Sequence, residues 1–267
     1  MMLFKNIFRG IRAYGGTLKL INKLGLWKYF GIPILISLLT ATGIGLLAWG
    51  LSDNIGTFIA KAWVWEWGSE TFLAISEIVG ALVIVAIGLV LYKHIIMALS
   101  APFMSPVSEK IEAHVLGIEY VPSAFSFKEQ LWRGIRINVR NLLMELLFTI
   151  PILLLSFIPV VNFFTTILLF LVQSYYAGFG NMDYTLERHI KYDDSLKFVR
   201  SHSGIAIGNG VVFMLMLFIP LIGIILVLPL SVTASSTETI KLLQEAKVIA
   251  PSENIQKKIQ SNEYKQI

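Results

Sequence analysis

With 267 residues, 55% hydrophobic and only 15% charged, and a mean hydropathy of +0.71, the chain falls well below the roughly 25% charge of soluble domains and reads as one membrane-embedded domain. The absence of cysteine excludes a disulfide framework, a thiolate zinc site and a thiol nucleophile. His94, His114, His189 and His202 show no H-x-x-x-H spacing and read as interfacial or loop residues, so neither metal nor cofactor is expected. The net charge of +5 points to anionic lipid rather than nucleic acid, because Lys5, Arg9, Arg12, Lys19, Lys23 and Lys28 all precede the first acid, Asp53, and the charges nearly balance after it.

Residues 1–23 place Leu3, Phe4, Ile7, Phe8, Ile11, Leu18 and Ile21 at roughly helical spacing among the basic residues. That pattern predicts an amphipathic helix on the membrane surface. The recurring positive charges leave no continuous apolar run of the kind a signal peptide needs. Residues 29–51 supply the ~20 apolar residues of a first transmembrane helix, with Trp27, Tyr29 and Trp49 as interfacial aromatics and Pro33 near the start, where a helix tolerates it. Residues 52–70 read as a short loop whose Trp63, Trp65 and Trp67 anchor the interface. Residues 71–92 form the second transmembrane helix, with Glu77 near its outer end and Lys93 and His94 at its inner boundary, past which the helical pattern can continue into the cytoplasm. Six Lys and Arg lie in the amino-terminal segment, six in residues 93–140 and one in residues 52–70, so positive-inside predicts both termini in the cytoplasm.

Residues 146–182 carry no charge, and residues 201–237 none apart from any on His202. Each stretch has Phe-Ile-Pro near its middle, at Phe157–Pro159 and Phe218–Pro220. Proline removes an amide donor and pushes its predecessor out of helical geometry. Each stretch therefore divides into two helices of about 13 to 17 residues, roughly 20–25 Å long at 1.5 Å per residue, against a hydrocarbon core of about 30 Å. The favoured reading is two re-entrant, half-penetrating helical hairpins over residues 142–180 and 204–236, with Asn162 capping the first returning helix. The other reading is two pairs of spanning helices joined by tight turns, six spans in all. A single domain over residues 1–240 and a polar cytoplasmic tail over 241–267 complete the expected all-α membrane protein.

Leu99–Gly117 reads LSAPFMSPVSEKIEAHVLG. It has Ala-Pro-Phe after a long apolar helix, then Glu109, Glu112 and Gly117. This segment, with the two Phe-Ile-Pro hairpins, Leu228-Pro229 and Met182-Asp183-Tyr184, resembles the CysZ sulfate permease family of the etoposide-induced-protein superfamily, over about residues 20–240. The resemblance implies two long transmembrane helices, two half-penetrating hairpins and surface amphipathic helices. It also implies a homo-oligomer in the bacterial inner membrane that imports sulfate for cysteine synthesis. It places sulfate at the turn Gly25-Leu26-Trp27-Lys28. Trp27 stands there where the family pattern has arginine, and Lys28 is the only cation. A guanidinium forks onto two oxygens of an oxyanion, whereas an ammonium is a point charge. Thr185 stands where the family's aspartate-tyrosine run continues with proline, and Glu187-Arg188-His189 replaces the asparagine pattern after it.

The leading functional reading is a permease for sulfate or a related oxyanion. Lys28 with the Gly25 and Leu26 amides is its entry, and Arg133, Arg136 and Arg140 line a cytoplasmic vestibule or serve as plain positive-inside flanking charge. Glu109, Glu112 and Asn162 are further candidates for the pore or vestibule; in the other reading Glu109 and Glu112 simply pair with Lys110 or with those arginines. The alternative is a non-transporting scaffold that organises lipid or protein partners. No G-x-S-x-G, H-E-x-x-H, phosphate loop or paired intramembrane acids point to an enzyme.

Overall fold

The computed structural model describes residues 2–61, 68–156, 158–219 and 221–250, and helix is the only regular structure among them. The elements are α1 (Met2–Arg12), α2 (Thr17–Lys23), α3 (Trp27–Ala60), α4 (Ser69–Leu116), α5 (Phe127–Leu155), α6 (Pro159–Leu186), α7 (Tyr192–Ser201), α8 (Ser203–Leu217) and α9 (Ile222–Glu245). Five of them, α3, α4, α5, α6 and α9, are long and apolar enough to cross a membrane. Large apolar side chains such as Leu35, Leu39, Leu46, Ile78, Leu82, Leu147, Ile150 and Leu154 face outwards. An apolar surface of that extent is untenable in water, and the chain is a multi-pass all-α membrane protein.

Several boundaries differ from the sequence reading. The single amphipathic helix expected over 1–23 is two helices, broken by a turn that ends at Gly16 with φ +87°. The span expected at 29–51 continues nine residues further as α3, because Asp53, Asn54 and Thr57 are compatible with helix and nothing in 52–60 breaks it. The span expected at 71–92 is a helix of 48 residues that runs through both Pro102 and Pro106. The Ala-Pro-Phe segment therefore lies inside α4. Trp63, Trp65, Trp67, Phe157, Pro220 and residues 251–267 of the expected tail lie outside the described residues.

Both uncharged stretches do divide at Phe-Ile-Pro. Ile158 is extended (φ −86°, ψ 116°) and Pro159 opens α6 at its first turn, where its missing amide costs nothing. Asn162 is thus not the cap. It lies inside α6, donating its amide to the Ile158 carbonyl and accepting the Thr166 hydroxyl on its own carbonyl at 2.8 Å. The second break follows α8, with Leu221 at φ +62° as α9 begins. The helices then run past the apolar arms: α5 starts fifteen residues before Leu142, at the Ser126–Glu129 capping box, and α9 runs on to Glu245, beyond the expected tail boundary at 241.

Contacts set the register. Gly88 packs on Ile44, Gly80 on Ser52 and Gly56 on Glu77, so α3 and α4 are antiparallel. Gly178 lies on the Ala206 carbonyl and Gly210 on that of Ser174, which locks α6 against α8 at backbone distance. Gly10 of α1 touches the backbone of Ile205 and Gly208 in α8. Ser37 of α3 shares a hydrogen bond with the Tyr92 hydroxyl and donates to the Ile224 carbonyl at 2.8 Å. The tip of the α8–α9 hairpin therefore sits level with Ser37, and α3 runs another 23 residues, about 35 Å, past it. The polar ends of α2, α5, α6, α7 and α9 gather at the opposite end, here called the base.

Candidate functional site

A column of polar side chains rises from the base into the apolar zone. At its top, Lys93 and His94 of α4 meet Glu145 of α5. Lys93 Nζ donates to Glu145 Oε1 at 2.7 Å and to the Gln173 carbonyl of α6 at 3.3 Å, and His94 Nε2 lies 3.0 Å from Glu145 Oε2. Lys93 and Glu145 are wholly buried. Lys93 follows Tyr92, which is level with Ser37, eight residues or about 12 Å inside the apolar run of α3. The pair is therefore not at the inner boundary where the sequence put Lys93. Intramembrane ionisable groups are expensive, and by default they mark a functional site.

Below this triad, Asn181 donates to Asn209 Oδ1 at 2.9 Å, and Asn209 donates to the Ser231 carbonyl at 3.1 Å. Tyr14 donates to the Asn209 carbonyl at 2.9 Å and to the Ser231 hydroxyl at 2.8 Å, tying α6, α8, α9 and the α1–α2 turn together. Along the column Asn141 Nδ2, Ser174 Oγ and Asn181 Oδ1 are buried without a hydrogen-bond partner among the described residues. Buried polar atoms need partners, so water or a polar solute belongs beside them.

At the base, the charges close into pairs. Arg133 forks onto Asp183 at 2.9 and 3.1 Å and reaches the Ile190 carbonyl at 3.3 Å. Arg188 donates to Glu112 Oε2 at 2.7 Å and to the Ser108 hydroxyl at 2.9 Å, and His189 Nε2 lies 2.9 Å from the other Glu112 oxygen. Glu187 accepts the Ser105 hydroxyl. Burial pushes the Glu187 carboxyl up to about 7, although the Ser105 hydrogen bond pulls the other way.

The structure gathers the residues singled out from sequence into three places. Gly25, with φ +60°, and Leu26 donate their amides to the Asn22 and Ile21 carbonyls to close the turn, so neither amide is free for an anion. In the first turn of α3 the Tyr29 amide donates to the Leu26 carbonyl at 2.9 Å, and Lys28 is exposed. Trp27 donates its indole N–H to Asn22 Oδ1 at 2.6 Å. Lys28 and Lys110 lie 5.4 and 5.8 Å from the centre of the Tyr29 ring, and Lys110 lies 4.3 Å from that of Tyr120. Tyr120 donates to Glu109 at 3.3 Å, and burial with the Glu109 charge pushes its phenol up to about 12. The turn and Glu109 thus share one neighbourhood with two ammonium groups. Glu112 pairs with Arg188 and His189 rather than with Lys110. Arg136 stacks on Tyr192 at 3.8 Å and Arg140 faces a cleft beside α6, while Asn162 is remote, next to the first hairpin's tip.

The profile of a family described as "Sulfate transporter CysZ/Etoposide-induced protein 2.4" matches residues 13–227. The chain belongs to this family. Within it, the chain is similar to the protein named "Sulfate transporter CysZ" of Pseudomonas aeruginosa (strain LESB58), 30% identical over 222 residues that cover 81% of this chain and 89% of that protein. It is likewise similar to the protein of the same name from Pseudomonas fluorescens (strain Pf0-1), 29% identical over 226 residues, or 82% and 88% of the two chains. The CysZ-family match spans the Gly25–Lys28 turn, the Lys93–Glu145–His94 triad, the first hairpin and the second hairpin as far as the opening turns of α9.

The triad was missed from sequence, though its signals were present. Glu145 is the last charge before 37 uncharged residues, and Lys93-His94 ends an apolar run of helix length. From sequence, Asp183, Glu187, Arg188 and His189 stand out only as departures from, or matches to, the CysZ pattern.

Proposed function

We propose that this chain is a permease for sulfate or a related oxyanion, working in the bacterial inner membrane to import it for sulfur assimilation. Family membership supports the cargo class. The observation that carries the reading is the wholly buried Lys93–Glu145–His94 triad, with unpartnered polar atoms stacked below it. Such a column is the way a bundle passes a polar solute through an apolar zone. Lys28, Lys110 and the α3 amino terminus concentrate positive potential around Tyr29, and an oxyanion enters there. Both hairpins are read as re-entrant; for α8–α9 this is supported by its tip lying level with Ser37 rather than with the far end of α3, while α5 runs ten residues, about 15 Å, beyond Glu145 and carries the first tip deeper. Both termini face the cytoplasm, and the working unit is a homo-oligomer. The chain acts as a transporter rather than an enzyme. No comparison favours the non-transporting scaffold.

The test is uptake of radiolabelled sulfate into proteoliposomes by the wild type, Lys28→Ala and Glu145→Gln. The expected result is saturable uptake, weakened by Lys28→Ala and lost in Glu145→Gln protein that still elutes as the folded oligomer. Uptake by the wild type no faster than by empty liposomes, for sulfate and for other tetrahedral oxyanions, would overturn the reading.

A further inference from the structure

A cleft of about 450 Å³ opens on the bundle surface between the first hairpin and the α7–α8 junction. Its volume lies within the roughly 300–1,000 Å³ of small-molecule sites. Its walls are graded along one axis. Arg140 of α5, Tyr175 and Tyr176 of α6, Arg200 of α7 and Ser203 of α8 line it at the base end. Eight residues towards the tip, about 12 Å along each helix, the same two hairpin walls present Phe148 and Leu168.

We propose that this cleft seats one anionic phospholipid. Its phosphate lies between the guanidiniums of Arg140 and Arg200, and an acyl chain runs towards Phe148 and Leu168. Charge complementarity argues for it. Among the described residues neither arginine has a carboxylate within ion-pair distance. Arg140 donates only to the neutral Asn141 side chain, at 3.0 Å, and lies 5.5 Å from the centre of the Phe179 ring. Arg9, Arg133 and Arg188 are each neutralised by an acid, whereas Arg136 stacks on Tyr192 and Arg12 lies apart, in the cleft between α1 and α9. Two unneutralised guanidiniums beside tyrosine and serine hydroxyls form a phosphate seat, and basic clefts between membrane helices favour anionic headgroups. The polar-to-apolar grading selects an amphiphile over the free oxyanion. A free dianion would use the arginine end and gain nothing from Phe148 and Leu168, against which its desolvation is costly. The inference rests on the membrane class of the fold and not on transport.

The experiment is native mass spectrometry of the full chain in detergent, titrated in parallel with phosphatidylglycerol and phosphatidylcholine. Wild type is expected to hold one phosphatidylglycerol per chain with at least tenfold preference over phosphatidylcholine. R140Q/R200Q should lower phosphatidylglycerol binding at least tenfold and leave phosphatidylcholine unchanged, R140K/R200K should keep most of the preference, and L168W should weaken both lipids. Equal binding of the two lipids by wild type, which needs no variant to fold, overturns the proposal. So does displacement of phosphatidylglycerol by low-millimolar sulfate, which would make the cleft an oxyanion vestibule. A change of oligomeric state in R140Q/R200Q with lipid binding intact also overturns it, since the face would then be an interface between copies.

Discussion

The ammonium of Lys93 and the carboxylate of Glu145 meet at 2.7 Å across the α4–α5 contact, and neither side chain is exposed at all. An ion pair in this setting offsets its desolvation only while both partners are present. Glu145→Ala alone leaves a buried ammonium beside His94 and is expected to cost about 3–5 kcal/mol, as is Lys93→Ala. Lys93→Met/Glu145→Met removes both charges and should recover most of that loss, since apolar replacements of buried pairs are often neutral or stabilising. Thermal unfolding in detergent measures the difference. If the triad carries transport, sulfate uptake stays lost in the double variant. Recovery of stability together with full uptake would reduce the triad to a structural clamp.

The α6–α8 contact depends on glycine for a steric reason. A Cβ at Gly178 would run into the Ala206 carbonyl, and one at Gly210 into the Ser174 carbonyl; both obstacles are backbone and cannot swing aside. Gly178→Ala should therefore destabilise by about 1–3 kcal/mol, the usual cost of overpacking. Gly43→Ala in α3 meets nothing within 4 Å and should be neutral, or stabilising by about 0.5–1 kcal/mol through helix propensity. Unfolding midpoints of the two variants side by side check the contrast, and equal shifts would refute it.

Glu187 gives the fold a pH dependence of definite sign. Its carboxyl is raised to about 7 by burial, whereas in the unfolded chain it titrates near 4.5. Below pH 4.5 both states are protonated and the group makes no difference. Between pH 4.5 and about 7 the unfolded chain ionises first, so this group's contribution to stability falls as pH rises. The loss approaches roughly 3 kcal/mol at the upper end. Glu187→Gln should flatten that part of the stability profile while keeping a polar partner for Ser105. The check is the unfolding midpoint from pH 4.5 to 7.5, and an unchanged slope in the variant would show that Glu187 is ionised in the fold.

The Phe-Ile-Pro tips were legible because proline acts locally: a missing amide and a ring clash end a helix whatever surrounds it. Asn162 was misread because Pro159 itself opens α6 and leaves the cap to Ile158. Pro102 and Pro106 obey the same local rule, yet α4 runs through them. There the helix is held on other faces by α5 and α6, with Gly134 against Ala98 and Ala101 and with Ser105 and Ser108 bonded to Glu187 and Thr185. The continuation of α4 past Lys93 and His94 therefore reaches Leu116 without a break. The ion pairs were illegible for another reason. Lys93 and Glu145 lie 52 residues apart, and Glu112 and Arg188 76 apart. No periodicity encodes a partner at that separation; only the packing of three helices brings them together. What the sequence did show was that Lys93 and Glu145 border apolar stretches, which is a reason to suspect an intramembrane charge before any contact is known.

The turn before α3 offers a prediction in the direction of gain. Trp27 occupies the position where the family resemblance expects arginine, and it makes only peripheral contacts: an indole hydrogen bond to Asn22 at 2.6 Å and an edge-on contact with Phe30 at 6.0 Å, with 40% of its surface exposed. Its replacement should therefore cost little stability, within about 1 kcal/mol, as for other surface substitutions made away from buried networks. Trp27→Arg would add a planar fork next to Lys28 at the start of α3. A charge-assisted bidentate contact of that kind is stronger than an ammonium alone. If sulfate enters here, the variant should lower the KM for uptake about three- to tenfold at unchanged kcat, because the new contact is made equally before and during translocation. Trp27→Lys should give a smaller gain, since it adds charge without the fork. Initial rates of sulfate uptake over a range of concentrations separate the outcomes. A KM unmoved by either variant would take the entry site away from this turn and leave the cationic cleft of about 600 Å³ between α1 and α9, lined by Lys5, Arg12 and Lys241, as the place to look next.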